Sequence, residues 1–510
     1  MKICEHFGGN LSVWEGDKLV QRFECRHDTR RALGLLRQLN SLKTADGTPI
    51  HAFYRHRGFY LWPFFQDYLI GQVCIPWARY GHVIEWLGNR DAICDHEGLD
   101  TFAPLLETLR GGPRRPWQKK VLFGTLLHMA RRRSRPHELA FYDLMDDDFR
   151  SKSIRAILEE LHQPYSRFRR FETRRDWKTS FWGTEHIPWS ITLGVEHGTV
   201  LPLAPDTKTD WPEWALDRIF AWVDGMVQQA AREIDALIEM WKDHRPRLIY
   251  GIDECAAPNP IWAVARFHGI PTVGHQHGSY NKLMAGWMRY GIPHEYNNVR
   301  FNRLLVWGDY WKKKLLQYTS LFEEREIEIA CPMRPLPQYA VNRESCRVSR
   351  SESSRRSILI PYEFLADQPA VGKYMDLMIK KGWHVMLKTR PDEPIAGQLA
   401  SYELQQPEKV GIVEELSGEL LSTMDAAAGT MTTLLYELLP YRIPIWYLET
   451  GFTMLEDMVA DGLAHLVTLE ILERAPPELF EPRYQGDGSE FINPSQTLKG
   501  VMGGLIQQYL

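Results

Sequence analysis

Asp253, Glu254, His275 and His277 are the residues of this chain whose types and spacing could move a proton. A carboxylate partly removed from water gains basicity, and an imidazole already titrates near neutrality. Spacing alone gives the base as Glu254 or Asp253. His277 would then orient a substrate or stabilise a leaving group, and His275 is a further candidate. A second group could hold an anion. Gly429, Thr430, Met431, Thr432 and Thr433 stand where an apolar run stops and a helical one starts, so backbone N–H groups and hydroxyls would face a phosphate. Plain helix capping is the alternative for the same residues. Lys388 and Arg390 alternate at the end of a strand and share a face, a clamp for a diphosphate or a carboxylate. Arg334, after the run EIEIAC, is a third cationic candidate. No metal is expected. His275 and His277 have no Cys or carboxylate at ligand spacing, and the triplet Asp146, Asp147, Asp148 reads as a solvated cap among helical pieces.

The elements that must position these groups are legible around them. RLIYGIDE reads as a strand ending in two acids, a helix follows over 260–267, and PTVGHQHG is a second strand ending in the imidazoles. Two parallel strands joined by a helix bring both polar loops to one sheet edge, the edge where α/β proteins bind ligands. RLLVW and the run 327–330 continue the pattern. A second unit opens with SILIPY. It continues with a helix at 373–381, the strand HVMLKTRP, an uncertain strand at 410–413, a helix at 418–422 and the segment MDAAAG. A helix over 432–439 and a strand over 443–448 complete the alternation, which predicts a doubly wound parallel sheet. Upstream, the chain opens with short strand-like pieces. Helical stretches at 100–109, 121–133 and 153–161 follow, then one long amphipathic helix over 212–242. The polar, Ser- and Arg-rich stretch 342–356 has linker composition.

With 510 residues the chain exceeds one ordinary core. We expect an N-terminal domain over 1–345, helical to about 240 and Rossmann-like over 245–335. A C-terminal domain follows over 350–475, and a tail over 476–510 packs back on the N-terminal domain. The net charge of −4 gives no global field favouring nucleic acid or membrane. The basic runs at 114–135 and 167–178 read either as solvated faces or as a patch for anionic lipid or an anionic acceptor. Seven scattered cysteines without CxxC spacing suit a reducing compartment, and the first residues lack a signal peptide's apolar core. The apolar run 59–73 contains Pro63, Gln66 and Asp67, so it reads as a buried or interfacial helix rather than a span. The expected location is the cytoplasm, with peripheral contact to the inner face of the membrane through the basic runs. The 18 tryptophans suit either sugar stacking or a large core.

Three segments, GIPTVGHQHGSY, MLKTRPDEP and MDAAAGTMTTLLYELLPYRIPIWYL, together resemble motifs of GT-B superfamily glycosyltransferases. Within that superfamily they are most similar to bacterial surface-polysaccharide transferases. That group includes Kdo and polysialic acid capsule enzymes and CDP-glycerol glycerophosphotransferases. The resemblance covers about residues 245–460. It implies two Rossmann-like domains facing a cleft, with the nucleotide-sugar donor bound mainly by the C-terminal one, and no chelated metal or other cofactor. By resemblance Glu437 would accept hydrogen bonds from ribose hydroxyls, beside phosphate ligands at Lys388, Arg390, Thr430, Thr432, Thr433 and Arg334. One departure stands out: the family's basic motif carries His before its Pro, and this chain has Arg390. Arginine keeps a phosphate donor but cannot shuttle a proton near neutral pH.

The expected activity is metal-independent transfer of a sugar from a nucleotide-activated donor to a surface-polysaccharide, glycan or lipid-linked acceptor. The alternatives are a polyol-phosphate transferase, a UDP-sugar 2-epimerase, and a non-catalytic glycan-assembly protein with a decayed donor site.

Overall fold

The computed structural model describes residues 2–6, 10–87, 95–97, 137–142, 148–169, 186–188, 203–204, 209–253, 259–288, 290–296, 300–334, 336–341, 355–363, 366–390, 395, 397–452 and 454–510. The helical stretches expected at 100–109 and 121–133, the candidate Glu254, Asp146 and Asp147, and most of the linker lie outside these residues.

Among the described residues three larger sheets carry the chain, beside a two-stranded pair of Arg55–His56 and Phe59–Tyr60. The first holds β1 (Lys2–His6), β2 (Asn10–Glu15), β3 (Lys18–Glu24) and β4 (Asp95–Glu97), in the order β3-β2-β1-β4. The second holds β5 (Leu139–Tyr142), β6 (Tyr165–Arg169), β7 (His186–Pro188), β8 (Leu248–Ile252), β9 (Thr272–His275), β10 (Arg303–Val306) and β11 (Ile327–Ile329). Its order is β11-β10-β9-β8-β5-β6-β7, with every pair parallel. The third holds β12 (Ser357–Pro361), β13 (His384–Lys388), β14 (Val410–Val413), β15 (Ala426–Gly429), β16 (Ile445–Leu448) and β17 (His465–Val467). Its order is β14-β13-β12-β15-β16-β17, again all parallel. Both parallel sheets are doubly wound, so the protein is α/β with two Rossmann-like sheets. Each reverses its winding once, between β5 and β8 in one and between β12 and β15 in the other. Those two reversals open crevices outside the carboxyl ends of the strands.

The central strands read as unbroken apolar runs because helices cover both faces of a parallel sheet. All five residues of β8 are buried, and so are all four of β15 and of β16. One core gathers Leu139, Tyr250, Val273 and Leu305 with Leu498, Met502 and Leu505 of the C-terminal helix Leu498–Tyr509. Another gathers Ile358, Met375, Val385 and Trp446 under the helix Gln368–Lys380. The long amphipathic helix runs Glu213–Met240 and buries Ile219, Phe220, Val223, Ile234 and Leu237. Trp214, in its first turn, is 42% exposed.

The chain forms two compact units. One comprises Met1–Arg31, Ile75–Phe102 and Leu336–Ile492, with the six-stranded sheet; the other comprises Ala32–Cys74, Ala103–Pro335 and Asn493–Leu510, with the seven-stranded sheet. This corrects the linear division expected from sequence, in which residues 1–345 formed one domain. The first residues are tied to the unit of the six-stranded sheet through specific bonds. The Thr29 N–H and hydroxyl both donate to the Gly451 carbonyl at 3.2 Å, and Arg30 pairs with Glu456. Residues 476–492 also stay with that unit, held by Trp446 Nε1–H donating to the Leu479 carbonyl at 2.8 Å and by Phe491 against Tyr436.

The run 59–73 is interior: Trp62, Phe64, Phe65, Leu69, Ile70 and Val73 are all buried. Among the described residues no helix is long and apolar enough to cross a membrane. Arg167, which opens the second basic run, is buried within β6 rather than on a surface patch. The rest of that run from 170 onward, and the first basic run up to Arg133 and Arg135, lie outside the described residues. The tryptophan surplus belongs to cores: Trp62, Trp77, Trp241, Trp262, Trp311 and Trp446 are each under 2% exposed.

Candidate active site

At the carboxyl edge of the seven-stranded sheet, β8 ends at Ile252 and Asp253 follows as a fully buried carboxylate. A lone buried carboxylate would be costly, and this one is met by donors only. His277 donates to it twice, from its backbone N–H at 2.9 Å and from ring Nδ1–H at 2.5 Å. The Tyr280 hydroxyl donates to the other oxygen at 2.8 Å, and Trp287 Nε1–H donates to the Asp253 carbonyl at 3.2 Å. Asp253 is thereby held at both carboxylate oxygens. The bond to Nδ1 sets the neutral tautomer of His277 and leaves Nε2 as its proton-accepting nitrogen. The His277 side chain is 28% exposed against 0% for Asp253. Of the two bases expected from sequence, Asp253 is enclosed here and Glu254 lies outside the described residues, while His277 is partly exposed.

His275 is the opposite case. It is fully buried at the end of β9, where its Nε2–H donates to the Cys331 carbonyl at 2.5 Å and its Nδ1 accepts from the Tyr250 hydroxyl at 2.6 Å. Burial pushes its pKa down to about 4, so it stays neutral at physiological pH. Of the proposed catalytic set, His275 is a core residue. Gln276 between the two histidines is also buried. Its side-chain oxygen accepts from Trp307 N–H at 2.8 Å and its amide donates to the Gly278 carbonyl at 2.7 Å. Close packing of this strand requires Gly274, because a Cβ there would lie 2.4 Å from the Phe301 ring. Arg334 belongs to this unit, with its guanidinium 5.4 Å from the Phe149 ring centroid. Asp148 is the N-cap of the helix Phe149–Glu160 and pairs with Arg150. It is a buried cap rather than a solvated one.

The other candidates lie at the carboxyl edge of the six-stranded sheet. Lys388 ends β13 half-buried, with its ammonium on the Thr389 carbonyl, and Arg390 is exposed just beyond. β15 ends at Gly429, and the turn Thr430–Thr432 leads into the short helix Leu434–Leu438. Thr432 takes the capping role, its hydroxyl accepting from Leu434 N–H at 3.3 Å. Thr432, Thr433 and Glu437 are half-buried. The turn has the anion-holding form expected, but a residue of the chain occupies it. The Glu363 carboxylate accepts from Thr430 N–H at 2.9 Å, Met431 N–H at 2.8 Å, Thr432 N–H at 2.7 Å and the Thr430 hydroxyl at 2.6 Å. Thr430 itself is completely buried. Burial pushes the Glu363 carboxyl above its ordinary value, opposed by those four hydrogen bonds. The turn's backbone donors are thus spent inside the fold, which corrects the expectation that they face a phosphate.

Sequence reasoning missed Tyr280, Trp287 and Glu363. Tyr280 stands in the quoted HQHGSY run, and Glu363 follows directly on SILIPY; the position of each after an apolar strand was the available signal. Among the described residues no group of three or more His, Cys, Asp or Glu side chains could hold a metal ion.

No protein-family model matches this chain, and no curated protein matches it in sequence. Among solved structures it is similar to the glycotransferase of kitacinnamycin, at 14% identity and a TM-score of 0.44, over 74% of this chain and 100% of that one. It is likewise similar to CalG4, the calicheamicin glycosyltransferase, at 13% identity and 0.44, over 74% and 98%. The Methanocaldococcus jannaschii UDP-GlcNAc 2-epimerase, solved with UDP-GlcNAc and UDP, is similar at 12% identity and 0.42, over 73% and 99%. Likenesses of this size do not decide the activity of this chain.

Proposed function

We propose that this protein is a glycosyltransferase that moves a sugar from a nucleotide-activated donor to a hydroxyl group of a glycan acceptor, with His277 as general base and Asp253 as its orienting partner. The observation that carries the reading is the buried Asp253 accepting from Nδ1 of the partly exposed His277, at the carboxyl edge of a doubly wound sheet. In the reaction, Nε2 of His277 takes the acceptor hydroxyl proton as that oxygen bonds to the anomeric carbon. The bond from that carbon to the donor's phosphate oxygen breaks, and the nucleotide leaves with the electron pair. Asp253 stabilises the imidazolium that forms, and Tyr280 holds the second carboxylate oxygen in place. For the donor's phosphates the candidates remain Lys388, Arg390, Arg334 and the hydroxyls of Thr432 and Thr433, with Glu437 for the ribose.

The test is turnover of UDP-, CDP-, GDP-, dTDP- and CMP-sugars with a panel of glycan acceptors, following nucleotide release and glycosylated product together. The wild type should yield both from one donor. His277→Ala and Asp253→Asn should each lower kcat by about 10²–10⁴-fold, the usual weight of a general base. Wild-type kcat in His277→Ala would remove His277 from the reaction, and nucleotide release with a rearranged free sugar would mark an epimerase instead.

A further inference from the structure

The six-stranded sheet reverses its winding between β12 and β15, and the crevice outside those two strand ends is where a doubly wound sheet receives its ligand. In this protein a buried side chain of the chain fills the floor of that crevice. Glu363, two residues beyond the end of β12, places its carboxylate on the turn after β15 and accepts from three consecutive backbone N–H groups and one hydroxyl. Every neighbour that the carboxylate meets there can donate. The room for it comes from Gly429, where a Cβ would lie 2.9 Å from Glu363 Oε1. A carboxylate this enclosed and this fully hydrogen-bonded is expensive to displace, since leaving would strand the acid and the two buried donors of Thr430. The half-buried Thr432, Thr433 and Glu437 continue directly from the turn that it holds.

We propose that Glu363 is a positioning residue for the nucleotide donor: it occupies the turn's anion-holding amides permanently and so sets the conformation in which Thr432, Thr433 and Glu437 meet the nucleotide. This rests on the glycosyl-transfer reading above. The donor's phosphates then depend on side-chain hydroxyls and cations rather than on the amides of Thr430, Met431 and Thr432. The three converging N–H groups, engaged by Glu363, are then not offered to a phosphate.

Glu363→Gln places an amide NH₂ against donors, and Thr430→Val removes the hydroxyl contact. Both variants are made in the full chain, and circular dichroism fixes a temperature at which each is folded. Calorimetric affinity for UDP, CDP, GDP, dTDP and CMP is then measured, together with hydrogen exchange at the Thr430–Thr432 amides. We expect those amides to exchange at least tenfold faster in Glu363→Gln. Affinity for the nucleotide that the wild type binds should fall tenfold or more in Glu363→Gln and by a smaller factor in Thr430→Val. Faster exchange with unchanged affinity in both variants reduces Glu363 to a structural role and overturns this proposal alone. Tighter binding in Glu363→Gln overturns it too, because the carboxylate would then be standing in the phosphate's place. A wild type that binds none of the five nucleotides and turns over no nucleotide sugar overturns the proposed function, and this inference falls with it.

Discussion

Two histidines two positions apart show how environment assigns a role. His275 is locked between Tyr250 and the Cys331 carbonyl, and His277 is backed by a carboxylate and reaches the edge. The first has a consequence for stability. Its folded pKa of about 4 lies below the ordinary 6.5. Below pH 6.5 the unfolded chain takes up a proton that the folded site refuses, so the stabilisation present above that pH is lost as pH falls toward 4. The slope is about 1.4 kcal/mol per pH unit for this one group. Urea midpoints followed from pH 7 to pH 5 should fall for the transition of this unit. His275→Gln should flatten that slope by about one proton, and an unchanged slope would assign the proton to other groups. His27, in the other unit, is likewise pushed down to about 4, first by burial and then by the Arg79 guanidinium. Its Nε2 accepts from Arg79 at 2.9 Å, so it adds to the same acid sensitivity. At this scale the sequence could not separate His275 from His277, because burial is a property of the neighbours and not of the residue.

Elements followed from sequence wherever apolar patterning was strong. The strand at Leu248–Ile252, the helix at Asn259–His268 and the strand at His384–Lys388 all lie where the runs place them, and the uncertain strand at 410–413 is β14. The helix expected over 432–439 forms only at Leu434–Leu438, because Thr430–Thr432 are taken by Glu363 before helical bonding begins. Two glycines hold elements together by their lack of a side chain. Gly274→Ala would drive a Cβ into Phe301 and should cost about 1–3 kcal/mol, seen as a lower urea midpoint. Pairing it with Phe301→Leu should recover part of the loss, and strict additivity would deny the contact. Gly451 has φ +80° and a would-be Cβ 2.0 Å from the His27 carbonyl. Gly451→Ala should therefore cost on the order of 2 kcal/mol and lower the melting temperature of its unit by about 4–8 °C. A melt within a degree of wild type would show that the backbone yields there without cost.

At the scale of the whole molecule, each unit is assembled from three separate stretches of chain, and the first 31 residues belong to the unit that holds the six-stranded sheet. Truncation of residues 1–31 should destabilise the unit that contains β12–β17 and leave the melt of the other in place. A single lowered transition would test this, and loss of both would contradict the division. Turnover should be unaffected by EDTA, since the proposed chemistry uses imidazole, carboxylate and cationic side chains. Activity that dies in chelator and returns with Mn²⁺ would require a ligand set beyond the one described.

The sequence by itself determined the local rules of this protein: which runs become buried parallel strands, where each strand stops, and which acids, imidazoles and hydroxyls follow the stops. Those rules depend on residues a few positions apart, and periodicity and turn chemistry encode them directly. Only the tertiary structure decided that Asp253 is enclosed while His277 reaches the edge, that Glu363 fills the turn after β15, and that the opening strands belong to the unit of the six-stranded sheet. Each of these joins groups from about 24 to more than 400 positions apart. Contacts across such separations are set by packing within each unit, and they leave no period in the sequence to read.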